Sequence, residues 1–222
     1  MSFSVAIDGP AGAGKSTIAK MIAKKMSYIY VDTGAMYRAM ALHMIRKNIA
    51  ANDTVAIEQA CEHADISIRY MDGEQVVLLN GENVNAYLRT EEVGNMASAS
   101  SVNGKVRAKL QALQQKLAAE ADVVMDGRDI GTSVLPNADV KIYLTASSYV
   151  RAKRRFDELT AKGETADLAK IEADIIERDH RDMTRELNPL KQAEDAVYVD
   201  SSDMTIEEVV AKLEEIIEKK VS

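Results

Sequence analysis

The chain is predicted to fold as an α/β protein: a five-stranded parallel sheet core with helices on both faces and a small inserted lobe. Three observations carry that reading. Strand-like and helix-like runs alternate along the 222 residues. A glycine-rich turn joins the first strand-like run to the first helix-like run. One pair of strand-like runs, separated by a short turn, breaks the alternation and reads as a hairpin set into the α/β core.

Phe3–Asp8 reads as a first strand, and Thr17–Met26 as the helix that follows the glycine-rich turn. Tyr28–Asp32 is a short second strand, and Gly34–Lys47 and Val55–Ala64 are helical. Ile66–Met71 and Gln75–Asn80 flank Asp72-Gly73-Glu74 and form the hairpin. Val102–Ala121 is a long helix. Val123–Asp126 and Val140–Leu144 are short, apolar and β-branched, as buried parallel strands require. Ser148–Lys162 and Ala166–Arg185 read as a helical hairpin broken near Gly163. Val197–Asp200 is the last strand and Ile206–Lys219 the last amphipathic helix, with Thr205 and Glu208 placed as a capping box.

The length suits one well-buried core. The net charge of −7 argues against a broad nucleic-acid-binding face, and the absence of tryptophan, with only two phenylalanines, against a stacking platform for single strands. No apolar run is long enough to span a membrane, and the first residues lack a charged-then-apolar leader, so a cytoplasmic protein without membrane or nucleic-acid partners is expected. Cys61, the single cysteine, lies on a helical run and reads as a small core hydrophobe; a reducing compartment fits it. The three histidines are scattered, so no Cys/His metal constellation is legible.

Gly9-Pro10-Ala11-Gly12-Ala13-Gly14-Lys15-Ser16-Thr17 fits the phosphate-cradling loop pattern at every specified position and sits between strand and helix, as that loop requires. Glycines let several backbone N–H groups turn toward one anion, and the following helix adds its positive end. Lys15 would reach the β- and γ-phosphates of a nucleoside triphosphate, and Ser16 would ligate Mg²⁺. The fold class is therefore that of a P-loop NTPase, but the loop does not say what receives the phosphate.

Three further settings carry isolated arginines, whose planar fork matches phosphate oxygens. Asp32-Thr33-Gly34-Ala35-Met36-Tyr37-Arg38 follows the second strand and opens a helix, at a strand end where open α/β sheets bind ligands. Asp126-Gly127-Arg128-Asp129-Ile130-Gly131-Thr132 follows another strand, its paired glycines pointing to close approach of backbone to a ligand. Arg178, Arg181, Asp182 and Arg185 recur at spacings that share one helix face. That last cluster also has a plain reading as a surface face laced by ion pairs, as does the basic run Arg151–Arg155, whose other reading is a source of cations for the donor nucleotide.

With these motifs in order, from first strand to last helix, the chain resembles the bacterial cytidylate kinases, within the short P-loop nucleoside monophosphate kinases. The runs Asp32–Arg38 and Asp126–Thr132 together are far more specific than the phosphate loop alone. The resemblance implies transfer of the γ-phosphate of ATP to CMP or dCMP, with Mg²⁺ as cofactor and a monomeric enzyme of pyrimidine nucleotide metabolism. It implies that Arg38, Arg128 and Arg185 hold the acceptor phosphate, that Ser98, Arg107 and Asp129 meet the cytosine, and that Thr33 lines the base or phosphate pocket. Arg178 and Asp182 would lie near the sugar and Arg181 near the transferring phosphates, with Lys15, Arg128, Arg181 and Arg185 catalytic. It further implies one nucleoside monophosphate kinase domain: a core over residues 1–63, 88–150 and 182–222, an acceptor-binding insert over about 64–87, and a lid over about 151–181. Asp126 or Asp129 remains open as the holder of a metal-bound water.

Two rivals stay in view. A P-loop kinase acting on UMP, shikimate or a nucleoside shares the donor chemistry, and acceptor specificity separates it. A nucleotide-binding switch is a different class, but the chain lacks an Asn-Lys-x-Asp-type guanine-reading run and would leave the second set of arginines without purpose.

Overall fold

The computed structural model describes residues 2–71 and 73–221. Eight strands and eight α-helices follow one another as β1 (Ser4–Asp8), α1 (Lys15–Met26), β2 (Ile29–Asp32), α2 (Thr33–Arg46), α3 (Thr54–His63), β3 (Ile66–Met71), β4 (Glu74–Leu79), β5 (Glu82–Asn83), α4 (Glu91–Ser100), α5 (Gly104–Glu120), β6 (Val123–Gly127), β7 (Val140–Thr145), α6 (Ser148–Ala161), α7 (Leu168–Thr184), β8 (Val197–Asp200) and α8 (Ile206–Val221). A 3₁₀ turn spans Asn85–Tyr87 and a π-helical turn spans Ile130–Val134. The expected five-stranded sheet is present in the order β2-β6-β1-β7-β8, and the inserted antiparallel sheet has three strands in the order β3-β4-β5.

The chain divides into two compact units, one holding Ile29–Asp122 and the other Phe3–Tyr28 with residues 123–221. In the second unit β1 pairs in parallel with β6, from Ser4 opposite Val123 to Asp8 opposite Gly127, and with β7, from Val5 opposite Val140 to Asp8 opposite Tyr143. β7 in turn pairs in parallel with β8. Val5, Ala6, Ile7, Val123, Val124, Met125, Ile142 and Leu144 are buried, as are Ile18 and Ile22 of α1 and Leu213 and Ile217 of α8. Strands covered on both faces are continuously apolar, which is why these runs lack a two-residue alternation. The capping box at α8 is formed: Glu208 N–H donates to Thr205 Oγ1 at 3.2 Å and Thr205 N–H to Glu208 Oε2 at 2.8 Å. Gly163, at φ 76°, breaks α6 from α7.

In the first unit β3 and β4 pair antiparallel from Ile66 opposite Leu79 to Met71 opposite Glu74. Gly73 takes φ 79° in the turn; the expected turn residue Asp72 lies outside the described residues. Two elements were not expected here. Asn80 and Gly81 both take positive φ, 51° and 83°, which turns β4 into the short strand β5. Helix α4 is capped by Thr90, whose Oγ1 accepts from Val93 N–H at 3.3 Å, and it buries Val93, Met96, Ala97 and Ser100. Cys61 is buried in α3, as expected of a core hydrophobe, and burial pushes its thiol pKa up.

Candidate active site

The phosphate loop follows β1 in the second unit. Gly9, Gly12 and Gly14 take φ of 151°, 75° and 84°, and Gly14 is the N-cap of α1 with no side chain to occupy that end. A β-carbon on Gly9 would lie 1.9 Å from the carbonyl oxygen of Leu144, so close approach to β7 demands glycine there. Lys15 is buried, and its ammonium donates to Pro10 O at 2.7 Å across the loop. Its pKa is pushed down to about 7, first by burial and next by the charge of Arg128; Asp126 and Asp8 pull it back up, and Arg178 pushes down. Ser16 Oγ donates to Asp126 Oδ2 at 2.9 Å. Pro10, Ala11 and Ala13 complete the loop with Gly12, and Thr17 is exposed on the first turn of α1.

Asp8, the last residue of β1, accepts from Ile130 N–H at 2.8 Å and from Gly131 N–H at 2.7 Å. Burial pushes its carboxyl up to about 6, the two backbone bonds lower it, and the nearby charge of Asp129 raises it again. Sequence reasoning passed over this residue, although its signal was present: a carboxylate ending a strand just before a phosphate loop. At Gly131 a β-carbon would meet Lys141 Cδ at 3.1 Å and Asp8 Oδ2 at 3.4 Å, a tight fit that the Lys141 side chain would have to relieve.

Arg128, beyond β6, and Arg178 and Arg185, in α7 and at its end, come together around Asp182. Arg128 Nε donates to Asp182 Oδ2 at 2.9 Å. Arg185 donates to Asp129 Oδ1 at 3.2 Å and, through Nε and Nη2, to Asn188 O at 2.8 and 2.6 Å. Arg185 Nη1 also lies 3.9 Å from Asp182 Oδ1. Burial pushes the Asp182 carboxyl up, but Arg128, Arg178 and Arg185 outweigh that and hold it below the usual carboxylate range. Helix α7 ends at Thr184, so Arg185 is its C-cap in extended conformation and not a further helical residue as its spacing implied. Arg181 is set apart from this cluster: it is half exposed, with Nε 3.8 Å from Glu177 Oε1.

The basic run Arg151–Arg155 divides by residue. Lys153 pairs with Asp157 and Arg155 with Glu158 on the exposed side of α6. Arg154 donates to Ser201 O at 2.8 Å. Arg151 is buried and turns to the phosphate loop, donating to Ala11 O at 2.8 Å and to Asp179 Oδ2 at 2.6 Å. The run beginning at Arg151 was legible as a source of cations for the donor nucleotide, but its bond to the Ala11 carbonyl and the part of Asp179 were not.

The first unit holds the remaining predicted residues. Asp32 caps α2, accepting from Ala35 N–H at 2.9 Å, and Gln75 of β4 brackets its backbone, accepting from Asp32 N–H at 2.9 Å and donating to Asp32 O at 3.3 Å. This fixes the first turn of α2, where Thr33 is buried and Arg38 half-buried. Arg107, on α5, is buried; its guanidinium lies 5.7 Å from the centre of the Tyr37 ring and donates to Ser101 O at 3.1 Å. Ser98 is half-buried on α4, and its carbonyl accepts from Ser101 Oγ at 2.8 Å. Thus Thr33, Arg38, Ser98 and Arg107 share the scaffold of α2, α4 and α5.

The oxygen pair of Ser16 and Asp126 suits a hard divalent cation such as Mg²⁺, which takes few protein ligands and keeps phosphate oxygens and water for the rest. Among the described residues no group of three or more His, Cys, Asp or Glu side chains is gathered for a metal, and no helix is long and apolar enough to cross a membrane.

The sequence is 50% identical over 218 residues to a cytidylate kinase of Caldicellulosiruptor saccharolyticus, covering 98% of this chain and 96% of the relative. It is 51% identical over 216 residues to a cytidylate kinase of Lactobacillus johnsonii, covering 97% and 94%. A solved shikimate kinase from Bacteroides thetaiotaomicron aligns with a TM-score of 0.48 at 13% identity, covering 97% of this chain and 98% of that one. The cytidylate kinase family pattern matches residues 5–219, and the chain belongs to that family.

Proposed function

We propose that the protein transfers the γ-phosphoryl group of ATP to CMP or dCMP, giving ADP and CDP or dCDP. One observation supports this beyond family membership: Arg128 and Arg178, from separate elements, lie near enough to Lys15 to depress its pKa. Asp8, Asp126 and Asp182 offset part of this positive charge, and the assembled cations suit a polyanion. Two nucleotides exchanging a phosphoryl group are that polyanion.

The acceptor oxygen of CMP is already ionised near neutral pH, so the reaction needs positioning and charge neutralisation in place of a general base. Lys15 leaves Pro10 O and takes the β- and γ-phosphates of ATP, while the N–H groups of Gly9–Thr17 cradle them. Ser16, with Asp126 beside it, would hold Mg²⁺, which neutralises phosphate charge when bound. Arg38, Arg128 and Arg185 are assigned to the acceptor phosphate, and Arg181 to the transferring group. Arg178 and Asp182 are assigned to the sugar. Ser98, Arg107 and Asp129 read the base, with Thr33 lining its pocket. Asp129 accepts from the C4 amine of cytosine and repels the C4 carbonyl of uracil. Residues 64–87 form the acceptor-binding insert and residues 151–181 the lid. The reading includes a monomeric cytoplasmic enzyme without nucleic-acid or membrane partners.

Incubation with ATP, Mg²⁺ and CMP, with CDP followed by phosphorus NMR, tests the activity. CDP formed in step with ADP supports the reading, and ATP hydrolysis without CDP overturns it.

A further inference from the structure

Arg151 and Asp179 make a buried ion pair that holds one residue of the phosphate loop, Ala11, through both of its backbone polar groups. Asp179 Oδ2 accepts from Arg151 Nη1 at 2.6 Å, and Oδ1 accepts from Ala11 N–H at 3.2 Å. Arg151 Nη1 also donates to Ala11 O at 2.8 Å, and Nε donates to Ala146 O at 2.8 Å. Both polar backbone groups of Ala11 are thereby held by side chains from α6 and α7. The contact continues through Gly12, where a β-carbon would lie 3.3 Å from Arg151 Cβ and 3.8 Å from Ile175 Cδ1. Ser148 Oγ, donating to Glu172 Oε1 at 2.7 Å, ties α6 to α7 beside the pair.

A buried ion pair contributes little net stability, because desolvation of both charges offsets their attraction, and a matched apolar pair often replaces it without loss. Stability alone therefore does not account for charges here. Their geometry does: with the N–H and C=O of Ala11 fixed, the orientation of the following peptides, Gly12 to Ser16, is set before any phosphate arrives. We propose that Arg151 and Asp179 are positioning residues for the donor nucleotide, acting through Ala11 to hold the phosphate loop in its binding shape and to couple that shape to the α6–α7 hairpin. The inference rests on the reading of Gly9–Thr17 as the ATP-phosphate loop. It makes the ion pair serve ATP and not the acceptor.

The test compares the wild type with Asp179→Asn and with the apolar double variant R151M/D179L. ATP binding is measured by calorimetry with Mg²⁺ and no acceptor, alongside thermal unfolding and steady-state kinetics in both substrates. The expected result for the double variant is a lowered melting temperature, because Ala11 N–H, Ala11 O and Ala146 O lose their partners, with ATP Kd and KM raised about tenfold or more and KM for CMP unchanged within about twofold. Asp179→Asn keeps an acceptor for Ala11 N–H but loses the charge that holds Arg151, so it falls between the two. A double variant that folds and binds ATP as the wild type does overturns the proposal. If the double variant does not fold, an unchanged ATP Kd in Asp179→Asn overturns it instead. ATP binding by a wild type that phosphorylates no CMP would sink the assigned activity while leaving the positioning role to be judged by the binding data.

Discussion

Replacing Gly9 with alanine tests the phosphate loop at a single atom. The new β-carbon would sit 1.9 Å from the carbonyl oxygen of Leu144 and 3.0 Å from its carbonyl carbon. Leu144 cannot swing aside, because it is fully buried in β7 and paired opposite Val199 of β8. The loop itself must therefore yield by about 1.5 Å to reach ordinary contact distance. A misplacement of about 1 Å in groups that hold a reacting phosphate costs about 10²-fold in rate, equivalent to about 2.7 kcal/mol of transition-state stabilisation. Alanine at φ 151° adds backbone strain, of order 1–3 kcal/mol. For a chain of this size a loss of about 2 kcal/mol lowers the melting temperature by about 4–8 °C. The assay is CMP-dependent ADP release, paired with thermal unfolding. A Gly9→Ala protein with wild-type kcat/KM and an unchanged melting temperature would refute the argument that β7 packing fixes the loop.

Three further outcomes are expected. In the ligand-free protein Lys15 titrates near 7 because burial, then Arg128, disfavour its charge; above that pH it is mostly neutral, and phosphate oxygens restore its proton. ATP binding at about pH 8.5 should then take up a substantial fraction of one proton, read by calorimetry in buffers of different ionisation enthalpy, and no uptake contradicts this. Asp129→Asn exchanges a carboxylate for a group that also donates, so the preference for CMP over UMP should fall about 10- to 100-fold in relative kcat/KM, and a preserved ratio removes Asp129 from base reading. Arg128→Met removes the main partner of Asp182; KM for CMP should rise about 10²-fold with a smaller change for ATP, and the reverse pattern counts against the acceptor assignment.

Much of the architecture was legible because its signals are local. Continuous apolar runs gave β1, β6 and β7, the break at Gly163 separated α6 from α7, and Thr205 with Glu208 announced α8. Helix α4 escaped notice because Gly94 and its serines dilute helical propensity, even though Val93, Met96, Ala97 and Ser100 keep the spacing of a buried face. Strand β5 was missed because Asn80 was read as the end of β4, when Asn80-Gly81 is the two-residue turn that starts a second hairpin. At the site, motif residues such as Lys15 and Arg128 were legible from type and spacing. Asp8 and Asp179 were not, nor was the bond of Arg151 to Ala11: the contacts of Asp179 with Ala11 and of Arg151 with Ala11 span 168 and 140 residues, and only the folded chain brings them together. Arg181 shows the opposite limit, since helical spacing grouped it with neighbours from which its exposed position separates it.

Coupled ADP release with ATP and Mg²⁺, compared across CMP, dCMP, UMP, AMP and no acceptor, decides whether this chain phosphorylates a cytidine monophosphate. Fast turnover with CMP and dCMP, far slower turnover with UMP and AMP, and little without acceptor is the predicted result. Equal or faster turnover with another monophosphate would contradict the cytosine-reading role of Asp129 and Arg107, and acceptor-independent turnover would contradict the kinase reading itself.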